Sequence, residues 1–294
     1  MGGPQVLIRP DAGRLQLGAS TVWTLVHVGY DLDAVATLPG TPAAAHAYES
    51  DYLLGALNIN AAWTFHARWT LELGVPIRFL NATSGWVDNV GAPADPDGLY
   101  EAQRVGLGEA SVAMRARLLS SKSVLIDARF GAWLPTSSSA DSPFAGSVDT
   151  AERHQIFGNG TIDPMASLDV YYLSAPWRAA VGVWARLPLV ANDHGQVGST
   201  LLGVNLSVDR QLHTPKLRAM VGVGGQLAHP AAWPGPRAPA DYRATVLGRL
   251  ALYWLPSPTW QWNFGVDVPW ILSDVEGEFT MPVMLRVGVS HQIV

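Results

Sequence analysis

The charged side chains of this chain fall on one track of an alternating pattern, and their spacing is the chemistry to be explained. Arg78, Arg115, Arg117, Arg129, Arg178, Arg186, Arg218, Arg243, Arg249 and Arg286 share the polar positions with Glu72, Glu109, Asp127, Asp163, Asp169, Asp209 and Asp267. Trp133, Trp184, Tyr171 and Tyr253 lie on the same track. Guanidinium and carboxylate groups enclosed together have two uses. They can pair into a network that fills the enclosed space, since a buried charge is costly unless paired. Alternatively, ten arginines against seven acids can line a water path with a mild preference for anions. Spacing assigns each charge to a face but not to a height, so both readings stand at this stage.

Other chemistry is poorly supported. The chain has no cysteine, hence no disulfide framework and no thiol chemistry. It carries no G-x-S-x-G elbow, phosphate loop or H-E-x-x-H. Twelve-stranded outer-membrane phospholipases place a Ser/His pair on the barrel wall, but His27 and His291 fall near opposite ends of their strands. His46, His154, His194 and His229 stand singly in different loops, and Asp95-Pro96-Asp97-Gly98 lacks the rest of a calcium loop. The expectation is a protein that is not an enzyme and holds no cofactor or metal.

The elements that position the charges are strands. From Trp260 to Trp270 every second residue is apolar or aromatic, and Gln261, Asn263, Gly265, Asp267 and Pro269 lie between. That is the period of a β-strand, whose successive side chains face opposite ways. The run covers roughly 33 Å at ~3.3 Å per residue, or roughly 24 Å of rise at 45° tilt, close to the ~25 Å apolar band of an outer-membrane barrel. Trp63, Phe65, Trp69, Phe79, Trp254, Trp260, Trp262 and Trp270 end such apolar tracks and are read as membrane-girdle aromatics. The polar track, with Glu72, Arg78, Glu109, Arg115, Arg117, Asp127, Arg129, Asp163, Asp169, Arg186, Asp209, Arg218, Arg249, Asp267 and Arg286, is read as lumen-lining.

Eleven further stretches repeat the pattern. The first runs from about Arg14 to Val28, the second from Leu57 to His66 and the third from Trp69 to Phe79. A polar loop is expected from Asn81 to about Gly106. Later strands carry Val112–Leu118, Val124–Leu134, Asp163–Tyr172, Val181–Leu187, Leu202–Asp209, Leu217–Val223, Arg243–Trp254 and Val283–Ser290. Turns of a few residues alternate with loops of about 10–25, as short periplasmic turns alternate with long external loops. The fold class is therefore all-β: a transmembrane antiparallel up-and-down β-barrel of about twelve strands. Glycine followed by proline recurs at Gly74/Pro76, Gly131/Pro135, Gly182/Pro188 and Gly265/Pro269, where the prolines are expected to end strands.

Composition agrees. The 294 residues are 48% hydrophobic and 15% charged, below the ~25% charged of an ordinary soluble domain. No apolar run approaches the ~18 residues of a transmembrane helix. A net charge of −5 argues against nucleic acid as a partner.

Gly106-Leu107-Gly108-Glu109, Arg115-Ala116-Arg117-Leu118-Leu119, Phe130-Gly131-Ala132-Trp133-Leu134-Pro135-Thr136 and Leu71-Glu72-Leu73-Gly74-Val75-Pro76 give the chain a family resemblance. It resembles the amino-terminal barrel of certain OmpA-family outer-membrane proteins. The resemblance implies a barrel in the outer membrane of a Gram-negative bacterium, with the bilayer as partner. In that group acidic repeats and a peptidoglycan-binding domain often follow. Neither is present before Val294, so a periplasmic partner or a missing carboxy-terminal domain is the corresponding expectation. Residues 1–13 are assigned to a periplasmic segment and 14–294 to one barrel domain. Met1-Gly2-Gly3-Pro4 has no signal-peptide character, which implies a processed or recombinant start.

Overall fold

A computed structural model describes residues 13–31, 47–87, 100–137, 157–158, 160–191, 197–229, 243–272 and 278–293. The expected segment 1–13, apart from Gly13, lies outside them, as do His46, Asp95–Gly98, His154 and His194. The chain forms fourteen strand segments: β1 (Leu15–Asp31), β2 (Ala47–His66), β3 (Trp69–Val87), β4 (Tyr100–Leu107), β5 (Ala110–Ser120), β6 (Val124–Leu134) and β7 (Asp163–Ser174). The remainder are β8 (Trp177–Arg186), β9 (Leu201–Gln211), β10 (Leu217–Ala228), β11 (Arg243–Trp254), β12 (Trp260–Ile271), β13 (Glu278–Thr280) and β14 (Met284–Ile293). All pairings are antiparallel, successive staves bond in sequence order, and β1 closes the circle by pairing both β2 and β14. Two staves are broken in two. β4 and β5 both pair β3, and β13 and β14 both pair β1, so fourteen segments make twelve staves.

Closure removes the sheet edge that a membrane could not hydrate, since every buried backbone group must find a partner within the barrel. The outward track is apolar along its length. Leu250 on β11 and Leu285 on β14 are 61% and 52% exposed and flank Val266 of β12 in register. A surface this apolar over a closed barrel is lipid-facing. Trp63, Phe65, Trp69, Trp254 and Trp260 are exposed near the periplasmic turns, Trp262 is half-buried there, and Trp270 is exposed at the opposite end. Phe79, half-buried in the middle of β3, stacks on Trp23 with centroids 5.7 Å apart. That stack needs Gly55 beneath it, because a β-carbon there would run into the Trp23 ring.

Two expectations are corrected. The second strand begins at Ala47 rather than Leu57, and the loop expected from Asn81 to Gly106 is in large part strand, the outer ends of β3 and β4. β1, β2 and β3 run 17, 20 and 19 residues. Their outer ends carry Asp51, Asn81, Glu101 and Gln103 on the outward face, all exposed. A wall that rises beyond the apolar band no longer needs apolar side chains outside, so composition alone makes it resemble a loop. Pro76 is the second correction. It lies within β3 rather than at its end, yet costs no ladder bond. Its carbonyl accepts from Gly108 N at 2.8 Å, so its N-terminal side faces the break between β4 and β5. Thr136 secures that break: its hydroxyl accepts from Ala110 N at 2.8 Å and donates to Gly108 O at 2.7 Å.

Candidate functional site: the barrel interior

Inside the barrel the charges pair sideways, along the wall. Arg117 of β5 makes a two-pronged contact with Asp127, its register partner on β6, with Nη2 at 3.0 Å from Oδ2. Arg218 of β10 holds Asp209 of β9, and Arg286 of β14 holds Asp267 of β12 at 2.7 Å. Glu72 of β3 receives Arg115 at 2.5 Å and Arg129 at 2.7 Å, the latter reaching over β5. The longest reach is that of Arg186 on β8. It donates through Nε to Asp163 at 2.7 Å and also contacts Glu109 at the β4–β5 break. Thr161 adds a hydroxyl bond to Asp163 at 2.5 Å.

Six of the seven acids singled out from the sequence are thus in ion pairs with arginines; Asp169 instead accepts a bond from Ser167 at 3.2 Å. Arg78, Arg178 and Arg249 have no carboxylate within ion-pair distance among the described residues. Arg249 bonds Asn205 instead, at 2.9 Å. Pairs form, as one of the two uses read from the sequence requires, but they run along the wall. Five of the seven pairs join adjacent staves, Arg129–Glu72 crosses one stave and Arg186–Glu109 crosses two, so most of the charge is neutralised along the wall.

The inward glycines explain how long side chains lie flat, and the sequence pattern alone had not assigned them this part. Arg249 reaches from β11 to Asn205 on β9, and Gly224 is the residue it passes over. A β-carbon there would sit 2.9 Å from Asn205 Oδ1 and 3.6 Å from Arg249 Nη2. Trp184 lies over Gly203, Arg286 over Gly265 and Arg78 beside Gly108. Asp169 occupies the space over Gly182, and Ser111 with Asn60 that over Gly74. Three of the glycines in the glycine–proline repeat (Gly74, Gly182 and Gly265) are therefore floors for neighbouring polar groups. The missing signal was register: only strand pairing shows which long side chain faces which glycine.

Burial follows the same pattern. Asp127, Asp163, Asp209 and Asp267 are buried among their partners, whereas the side chains of Arg129 and Arg286 keep 29% and 25% of their surface accessible. Trp133 is covered by Arg186, whose guanidinium carbon lies 5.3 Å from the ring centroid. At the outer end, Val26, Tyr52, Leu80 and Ala82 form a buried cluster with Leu54, Phe157 and Met281 packed against it.

His27 and His291 share no centre. The β1–β14 register sets His291 opposite Leu17, ten residues along β1 from His27, or roughly 33 Å. His27 instead meets Asp51 at 2.9 Å on the barrel exterior, and His291 stacks on Trp260. Among the described residues no group of three or more His, Cys, Asp or Glu side chains could hold a metal ion.

No protein-family model and no curated protein matches this chain. Solved structures do. An outer membrane channel from Pseudomonas putida F1 is similar over 100% of both chains, with a TM-score of 0.65 at 13% identity. The TodX monoaromatic hydrocarbon channel (a deltaS2 mutant) aligns over 96% of this chain and 90% of its own at 10% identity and TM-score 0.48. The translocator domain of the autotransporter NalP from Neisseria meningitidis gives the same coverage and identity at TM-score 0.46. The first of these shows the fold. The chain is a closed twelve-stranded outer-membrane β-barrel.

Proposed function

We propose that the barrel is a passive, non-catalytic channel for small polar solutes or ions, porin-like in its action. The observation that carries this reading is the flat lie of the interior side chains. Five of the seven ion pairs join adjacent staves, and Arg249, Trp184 and Arg286 rest over glycines. A lumen filled as a structural core would instead bring large side chains to the axis at native packing density. With six acids neutralised and Arg78, Arg178 and Arg249 outside ion pairs, the field along the path favours anions mildly. The similar Pseudomonas putida protein is described as a channel, which agrees with this reading. The resemblance to OmpA-family barrels is compatible with it and adds no solute.

A second reading has one observation of its own. The apolar cluster of Val26, Tyr52, Leu80 and Ala82 with Phe157 lies inside the outer part of the barrel, where apolar packing suits an occluded barrel that serves as an anchor, with a periplasmic partner or a following domain. Planar-bilayer recording separates the two. Steady single-channel conductance with a modest anion preference supports the channel. Insertion without conductance leaves the anchoring barrel.

A further inference from the structure

The periplasmic half of the interior has one wall built of amides, hydroxyls and glycines. On β2, β1, β14 and β12 the inward residues follow one another in register as rows of amides, hydroxyls and glycines. The first row is Asn58, Ser20, Gly288 and Asn263. The second is Asn60, Gly18, Ser290 and Gln261. In the third, Gln16 stands between Ala62 and Gln292. Six amides and two hydroxyls thus share four adjacent staves, with Arg286 and Asp267 above them, paired with each other, and Arg14 below them at the start of β1.

This wall has unsatisfied hydrogen-bonding capacity. Gln16 Nε2 donates to Ser290 Oγ at 3.1 Å, but its Oε1 is buried without a protein partner, as is Gln292 Nε2 beside it. A buried amide atom without a partner calls for water or a ligand. Asn58, Asn60 and Asn263 are half-buried, with part of their surface open to the interior. Gly288 keeps the wall low, since a β-carbon there would fall 2.6 Å from Asn263 Nδ2 and 3.0 Å from Ser20 Cβ.

From this arrangement we infer that the channel selects neutral polyhydroxylated solutes of sugar-like chemistry, a conclusion that rests on the channel reading above. Each amide both donates and accepts, matching a hydroxyl, which does the same. A neutral solute crossing this wall exchanges its water hydrogen bonds for amide ones. An ion crossing it would shed hydration against amides that carry no counter-charge, and that is the costlier exchange.

The test is swelling of proteoliposomes in isotonic glucose or gluconate, a sugar and its acid on one carbon skeleton, with ion current measured on the same preparation. The inference expects glucose to enter at least fivefold faster than gluconate. It further expects N58L/N263L, verified as folded by heat-modifiable gel mobility, to bring the ratio of the two rates close to one. Ion current with equal entry of the two solutes, or a ratio unchanged in the double variant, overturns the sugar inference and leaves the channel. Absence of both ion current and swelling overturns the channel reading and this inference with it.

Discussion

Val266→Arg probes the outward face where it matters most. Val266 stands six residues from Trp260 on β12, with Leu250 and Leu285 as register neighbours on its two sides. Six residues make roughly 20 Å of strand and, at 45° tilt, roughly 14 Å of rise above the periplasmic girdle. That is near the middle of an apolar band ~25 Å tall, where an arginine on the lipid face costs about 2–4 kcal/mol. Asn263→Arg, three residues away and inward, meets no lipid and is governed by the space over Gly288 and the field of Arg286. Denaturant unfolding from lipid vesicles measures both. Val266→Arg is expected to lower stability by about 2–4 kcal/mol and Asn263→Arg by clearly less. Equal losses, or a greater loss at Asn263, would refute the facing of β12.

Glu72→Gln removes the carboxylate that serves both Arg115 and Arg129, and should lower stability by about 2–4 kcal/mol, limited by the water that reaches Arg129; thermal or denaturant midpoints check it. Gly224→Val should lift Arg249 off the wall and cut single-channel conductance severalfold while the barrel remains heat-modifiable on gels. Arg249→Glu should shift the reversal potential toward cations, because Arg249 is outside the ion pairs. Arg117→Glu is a poor probe of selectivity, since it faces Asp127 and should chiefly destabilise. Phe157→Ala, which loosens the apolar cluster in the outer part of the barrel, should raise conductance.

Much of the fold was legible because a strand's period of two separates lipid and lumen faces residue by residue. The run from Trp260 to Trp270 appears as β12 with bounds one residue from the reading, and Val124–Leu134 appears as β6 unchanged. What escaped was structure governed by something other than that period. The outer ends of β2, β3 and β4 rise beyond the apolar band, so their outward residues, such as Asn81 and Glu101, are polar and look like loop. Pro76 appeared to end a strand because the break it faces, at Gly108, lies on another segment. The interior arrangement was the least legible part. Whether Arg186 meets Asp163 or a charge across the lumen depends on register, which sequence spacing does not carry. The amide wall was invisible for the same reason, because Asn58 and Asn263 become neighbours only through β1 and β14.

The absence of native cysteine allows the central claim, a water-filled lumen behind a lipid-facing wall, to be tested directly on β1. Single cysteines at Gly18, Ala19, Ser20, Thr21 and Val22 would be challenged in vesicles with a charged, membrane-impermeant thiol reagent. The account predicts reaction at 18, 20 and 22 and protection at 19 and 21. Uniform protection would mean that the interior excludes water, and reaction at 19 and 21 would mean that the outward track does not face lipid; either result contradicts the account.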